Sequence, residues 1–379
     1  TKHPARTKKP KVTKTPEVTA TPKRTKAPQR TKKPTKIHMD GDMDELTEFI
    51  ISLGEKKFRA KQIYEWIHVK HVDSFDEMTN ISKKFIQVLK DNAMLISLKK
   101  EQVQVSKLDG TRKYLFSLDD GNVIESVLMK YKHGNSVCIS SQVGCRMGCR
   151  FCASTLDGLV RGLRPSEMID QIYQIGKDIG ERISNVVVMG TGEPFDNYDN
   201  VMNFLATVNH DRGLGIGSRH ITISTCGIVP RIYDFANEHT QYNLAISLHA
   251  PNDELRDQLM PVNHAYPLKE LMEAIQYYGK ENNRRLTFEY ILLKGVNDRP
   301  EHAKQLSKLL HGMNAYVNLI PYNAVDEKGF KSVTHDEAMV FYDLLMKNHV
   351  RCTIRKEHGN DIDAACGQLR IKEIKKEGI

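Results

Sequence analysis

Residues 144–152 read Gly144-Cys145-Arg146-Met147-Gly148-Cys149-Arg150-Phe151-Cys152, three cysteines spaced C-x3-C-x2-C with no fourth in the run. A structural zinc site is closed by four protein ligands, whereas three thiolates on a cubane iron-sulfur cluster leave one iron open to a ligand that is not protein. The short intervals let one loop wrap a cluster, and Gly148 lets backbone come close to it. An aromatic, Phe151, precedes the last cysteine. On spacing alone, the competing readings are a zinc knuckle completed by a distant His or Cys, and three unrelated thiols.

Outward from this loop, short apolar runs alternate with longer amphipathic stretches: 137–140, 185–189, 220–224, 244–248, 286–293 and 317–320. That alternation predicts repeated β-α units and a parallel sheet. Six units cannot close an eight-stranded barrel. A further strand-like run, 350–355, leads into a polar loop holding Cys366. Before the barrel, residues 44–97 carry a helical pattern. Phe58, Ile63, Trp66 and Ile67 lie near one face, with Lys56, Lys57, Arg59 and Lys61 largely elsewhere. This basic cluster either touches RNA phosphates or is a solvated helix face. Between 102 and 132, two strand-like runs flank the turn Asp119-Asp120-Gly121-Asn122, with Glu125 in the second run. The expected divisions are a tail (1–38), a helical accessory domain (39–101), a hairpin-like connector (102–132), the barrel (133–349) and a C-terminal strand with its cysteine loop (350–379).

The chain has 379 residues and a net charge of +9. Residues 1–38 hold 13 Lys or Arg against one Glu, a net +12, so residues from 39 onward sum to −3. The global charge therefore does not argue for RNA binding by the body, whose footprint must be a local patch. The first 36 residues repeat in sixes, with Thr at the first position and Pro at the fourth (Pro4, Pro10, Pro16, Pro22, Pro28, Pro34). Such a segment cannot build a core and favours an extended, disordered tail that attracts RNA in a salt-sensitive way. The alternative is a repeat expansion or appended extension with no part in catalysis, Met39 then being a native start. No run of about 18 apolar residues is present, so a membrane span is not expected. Seven cysteines, four of them within 138–152, suit thiol and metal chemistry in a reducing, cytoplasmic compartment better than a disulfide scaffold.

The cysteine loop resembles that of the radical S-adenosylmethionine (SAM) superfamily, which holds a [4Fe-4S] cluster on Cys145, Cys149 and Cys152. Four further stretches are similar to the RlmN-type RNA methyltransferases. They are Cys138-Ile139-Ser140-Ser141-Gln142-Val143-Gly144-Cys145, Gly190-Thr191-Gly192-Glu193-Pro194, Ser247-Leu248-His249-Ala250-Pro251-Asn252 and Asp361-Ile362-Asp363-Ala364-Ala365-Cys366-Gly367-Gln368-Leu369. The resemblance runs from about residue 46 to 369 and implies an α/β fold. That fold is a partial (β/α)6 barrel with a small N-terminal helical accessory domain, here behind a disordered basic tail that the family does not generally carry. It implies that Gly192, Glu193, Ser224, Ser247, Leu248, His249 and Asn323 contact S-adenosyl-L-methionine. Thr191 stands where many relatives have Met, and Gly162 replaces a frequent Asn.

The resemblance further implies that Cys366 accepts a methyl group and that a radical derived from a second SAM abstracts hydrogen from it. The methylene radical then attacks adenine C2, a ring carbon too electrophilic for direct polar methylation. Cys138 resolves the protein-RNA adduct by forming a disulfide with Cys366, and Glu125 accepts the ring proton. The implied substrates are 23S ribosomal RNA near the peptidyl-transferase centre and transfer RNA at the adenosine 3′ of the anticodon. The implied enzyme is a monomer served by an electron donor such as flavodoxin or ferredoxin. Cys226 and Cys352 match no role and read as packing residues. The competing readings are a Cfr-type enzyme, which methylates adenosine C8 and gives antibiotic resistance, a radical enzyme acting on protein or a small molecule, and a non-catalytic, metal-containing RNA-binding protein.

Overall fold

The structure, a computed structural model, describes residues 37–38, 43–95, 98–356 and 358–363. Apart from Ile37 and His38, the expected tail lies outside the described residues. So does Cys366.

Three helices come first: α1 (Met43–Ser52), α2 (Phe58–His68) and α3 (Lys83–Asn92). The Ser82 hydroxyl accepts from the Phe85 N–H and caps α3. Two short strands, β1 (Ile37–His38) and β2 (Ala93–Met94), pair in parallel beside them. Ile50, Ile63, Tyr64, Phe85 and Leu89 form a core of their own. Phe58, expected on the same face as Ile63, is 52% exposed because it opens α2 and turns outward, with the Arg59 guanidinium over its ring.

The rest is built on one ten-stranded sheet. Its antiparallel flank is β3 (Lys99–Val105), β4 (Arg112–Ser117) and β5 (Val123–Tyr131). The turn expected at 119–122 joins β4 to β5, the Leu118 N–H donating to Asn122 O at 2.8 Å. β5 pairs antiparallel with β6 (Gly134–Ile139), where the parallel region begins. After β6 come a small ribbon, β7 (Gln142–Gly144) and β8 (Leu159–Gly162), and the helix α4 (Pro165–Ile179). There follow β9 (Ile183–Val188), α5 (Tyr198–Asn209), β10 (Ile221–Thr225), α6 (Val229–Asn237) and β11 (Asn243–Ser247). The chain continues through α7 (Asp253–Leu259), α8 (Leu268–Asn282), β12 (Leu286–Leu292), α9 (Pro300–Leu309), β13 (Ala315–Pro321), α10 (His335–Lys347) and β14 (Arg351–Ile354).

The strand order is β14-β13-β12-β11-β10-β9-β6-β5-β4-β3, all pairs from β14 to β6 parallel. The further run expected near 350–355 therefore adds a seventh parallel strand to the six. Both sheet edges, β14 and β3, stay unpaired with each other, so the barrel is open. On the central strands alternate residues, Val186, Val188, Ile221, Ile223, Leu244 and Ile246, pack into the main core, while the positions between them face the barrel interior. α4 receives the N-terminal helices. His68 Nδ1 and the Tyr173 hydroxyl are 2.7 Å apart, and Lys177 Nζ donates to Asp73 at 2.8 Å. Among the described residues no helix is long and apolar enough to cross a membrane.

Candidate active site

The cysteine loop is set between the β7-β8 ribbon and a short turn at Ala153–Thr155. The Cys145 N–H donates to Gly158 O at 2.8 Å, and the Thr155 hydroxyl donates to the carbonyls of Cys149 and Cys152. The Arg150 N–H ties the loop to Leu259 O of α7 at 2.9 Å. Within the protein itself, the tight backbone approach in this loop is at Gly144. A Cβ at Gly144, with φ +75°, would come 1.9 Å from Gly158 O, whereas one at Gly148 would meet nothing nearer than Pro261 at 3.5 Å.

Cys145, Cys149 and Cys152 all line one cavity of about 330 Å³ at the C-terminal ends of the parallel strands. Burial pushes the Cys145 thiol up to about 12 and Cys149 higher still. Thiols so buried stay protonated unless a metal replaces the proton. Among the described residues no three His, Cys, Asp or Glu side chains converge as donors to a single ion. Three thiols carried by one short loop, all lining one cavity, suit a cluster that takes one thiolate on each of three irons, so the residues present fit the implied group.

The same cavity is lined by Gly192, Glu193, Ser224, Ser247, His249 and Asn323. Ser224 and Ser247, on adjacent strands β10 and β11, bring their hydroxyls within 3.3 Å. His249 Nδ1 accepts from the Ile291 N–H at 3.0 Å, which leaves the ring hydrogen on Nε2. Burial, with the nearby Arg256 charge, lowers its pKa to about 3, so the imidazole is neutral. Its ring meets Phe151 edge to face at 4.9 Å. The Glu193 carboxylate accepts from the Phe195 N–H at 3.0 Å and the Cys226 N–H at 2.7 Å, bracing the turn after β9 against the end of β10. Leu248 is not brought into the cavity; its side chain is 0% exposed in the main core.

Arg256, which the sequence reading passed over, is 0% exposed beneath the cysteine loop. Its guanidinium donates to Cys226 O at 2.6 Å, Leu248 O at 3.3 Å and Asn263 Oδ1 at 2.9 Å. It thereby ties the ends of β10 and β11 to α7. Its only sequence signal is a place seven residues after His249, which reads equally well as helix surface.

Cys138, on β6, faces the cavity beside Met129 and opposite Val127 of β5. Glu125 shares the face of Val127 but does not line the cavity. It is buried at 2% exposure, its Oε2 accepting from Lys113 Nζ at 2.7 Å, with Lys113 itself 1% exposed. A resident Cys138–Cys366 disulfide is not borne out, and Cys366 itself lies outside the described residues. No disulfide forms among the described cysteines, and a bond that belongs to one step of a cycle is not a resident part of a fold.

Two protein-family models match the chain: the radical SAM superfamily over residues 139–306 and the ribosomal RNA large subunit methyltransferase N-terminal domain over 39–95. A probable dual-specificity RNA methyltransferase RlmN from Thermoanaerobacter sp. (strain X514) is 57% identical over 337 residues, covering 89% of this chain and 98% of its own. The protein of the same name from Lachnospira eligens is 58% identical over 329 residues, covering 87% of this chain and 94% of its own. The crystal structure of a radical SAM methyltransferase from Sphaerobacter thermophilus superposes with a TM-score of 0.84 at 39% identity, over 88% of this chain and 98% of that one.

Proposed function

We propose that this chain, which belongs to the RlmN family of radical SAM RNA methyltransferases, methylates adenosine C2 in 23S ribosomal RNA and in transfer RNA. The observation that carries this reading is the convergence of Cys145, Cys149 and Cys152 with Cys138, Ser224, Ser247 and His249 on one cavity.

When bound, the [4Fe-4S] cluster and SAM supply the methyl group and the one-electron chemistry that activates it. Cys145, Cys149 and Cys152 hold the cluster. Gly192, Glu193, Ser224, Ser247, His249 and Asn323 bind SAM, and Leu248, whose side chain is committed to the core and whose N–H and carbonyl pair with Glu289 O and Arg256, supports the strand end that carries Ser247. His249 offers the Nε2 hydrogen as donor, and Arg256 keeps the two strand ends that carry Ser224 and Ser247 in register with α7. Cys366 carries the methyl-derived carbon to the ring. Glu125, held by Lys113 on the β5 face that carries the cavity-lining Val127, takes the ring proton, and the odd electron of the adduct returns to the one-electron chemistry that the bound group supplies. Cys138 then attacks the Cys366 sulfur: an S–S bond forms, the S–C bond to RNA breaks, and the released carbon takes a proton to become methyl. A flavodoxin- or ferredoxin-type donor supplies electrons to the enzyme, a monomer in the cytoplasm.

The test is anaerobic turnover of reconstituted protein with methyl-labelled SAM, a reductant and RNA, with Cys366→Ala alongside. The expected result is label in 2-methyladenosine only when Cys366 is present; label in the 8-methyl isomer alone would overturn the choice of carbon.

A further inference from the structure

Barrel interiors are ordinarily packed with branched apolar side chains. Here the half of the interior nearer the N-terminal strand ends is polar. Ser136, Asn185, Thr222, Thr287, Asn318 and Thr353, one from each of six parallel strands, line a second cavity of about 690 Å³. It lies back to back with the cysteine cavity, sharing Met129, Met189, Glu289 and Arg355 as a common wall.

The rim of this cavity is cationic. Arg219 lies two residues before β10, and Arg284 with Arg285 precedes β12; Arg355 reaches the cavity from the dividing wall. Arg284 donates to Asn243 Oδ1, and the Arg285 guanidinium lies 4.5 Å above the Tyr316 ring, so both are held by neutral partners. None of the four arginines forms an ion pair with a carboxylate among the described residues. The one carboxylate among the described lining residues, Glu289, sits at the dividing wall and accepts from Asn318 Nδ2 at 2.8 Å. A chain whose residues after 38 sum to −3 thus gathers four guanidinium groups around one polar recess, and only Arg355 lies within electrostatic reach of its single lining carboxylate, Glu289. Guanidinium forks backed by hydroxyl and amide donors match phosphate oxygens.

We propose that the N-terminal end of the barrel is a second binding site, specific for phosphate groups. The site stands apart from the methylation chemistry; only its use by RNA phosphates rests on the functional reading above.

The test is calorimetric titration of the full chain with inorganic pyrophosphate, paired with fluorescence anisotropy of a labelled RNA across a salt series. Arg284→Ala/Arg285→Ala is compared with wild type, and the exposed Arg219→Ala serves as a second, structurally mild variant. Removal of charge-assisted hydrogen bonds predicts about a tenfold weaker pyrophosphate affinity in the double variant, with an unchanged unfolding temperature. If RNA supplies the phosphate, the double variant also binds RNA more weakly, with a log K against log salt slope shallower by roughly one for each phosphate no longer neutralised. If a free phosphorylated molecule supplies it, pyrophosphate affinity falls and the RNA slope does not change. The proposal is overturned if both variants match wild type toward both ligands, shared absence of binding included. Label transfer to RNA, scored separately, keeps a failure here distinct from a failure of the methylation reading.

Discussion

Gly144 is the residue on which the shape of the cysteine loop most depends, because its left-handed backbone and its approach to Gly158 O both exclude a side chain. Gly144→Ala is expected to lower stability by at least about 1–3 kcal/mol through backbone strain. It should also reduce the iron retained after reconstitution, read by calorimetry and metal analysis; normal iron content and stability would show that the loop relaxes freely. The buried pair Lys113–Glu125 predicts an asymmetry. Lys113→Met leaves a carboxylate without its cation and is expected to cost about 3–5 kcal/mol. Glu125→Gln, which keeps an oxygen acceptor for Lys113, should cost less in stability while slowing RNA product formation. Lys113 and Arg256 were not legible in the sequence because a lysine on a strand or an arginine on a helix reads as surface charge. Only the tertiary fold encloses them. The three cluster cysteines were legible because one short loop carries them all, whereas Cys366 is tied to its role only by family resemblance.

At the scale of elements, α4 carries two titrations of opposite sign, one where His68 of α2 packs on Tyr173 and one where Asp170 is covered beside Leu98. Burial lowers His68 to about 3 from its ordinary 6.5, and raises Asp170 to about 7 from 3.8. For His68, the unfolded chain takes a proton as pH falls below 6.5 while the folded chain does not, so stability is lost between 6.5 and about 3. For Asp170, the folded acid stays protonated while the unfolded one ionises, so its destabilisation builds up as pH rises from 3.8 to about 7 and is relieved on acidification. Thermal unfolding between pH 7.5 and pH 4.5 should therefore show His68→Gln gaining on wild type as pH falls and Asp170→Asn losing its advantage; parallel curves would refute the assignment. The parallel strands were legible as short apolar runs recurring between helical stretches. β3 was not, since Lys99, Lys100, Glu101, Gln102 and Gln104 on an edge strand present the polar pattern of a surface segment. The expected two-stranded connector is consequently a three-stranded flank continuous with the barrel sheet.

At the scale of the whole molecule, charge and chemistry are separated along the chain: a net +12 before residue 39 and −3 after it, with the reactive thiols in the latter part. Deletion of residues 1–38 is expected to leave single-turnover methyl transfer unchanged with saturating RNA and to weaken RNA affinity mainly at low salt. A large loss of rate at saturation would assign the tail a catalytic part. The open barrel gives a macromolecule access to the cysteine cavity, where we propose that RNA becomes covalently attached before release. The most direct measurement is mass spectrometry of peptide-nucleotide fragments after anaerobic turnover by Cys138→Ala, the variant that lacks the resolving thiol. The account predicts accumulated protein-RNA adduct linked through Cys366 to an adenine C2 methylene. Continued release of methylated RNA by this variant, with no adduct at Cys366, would contradict it.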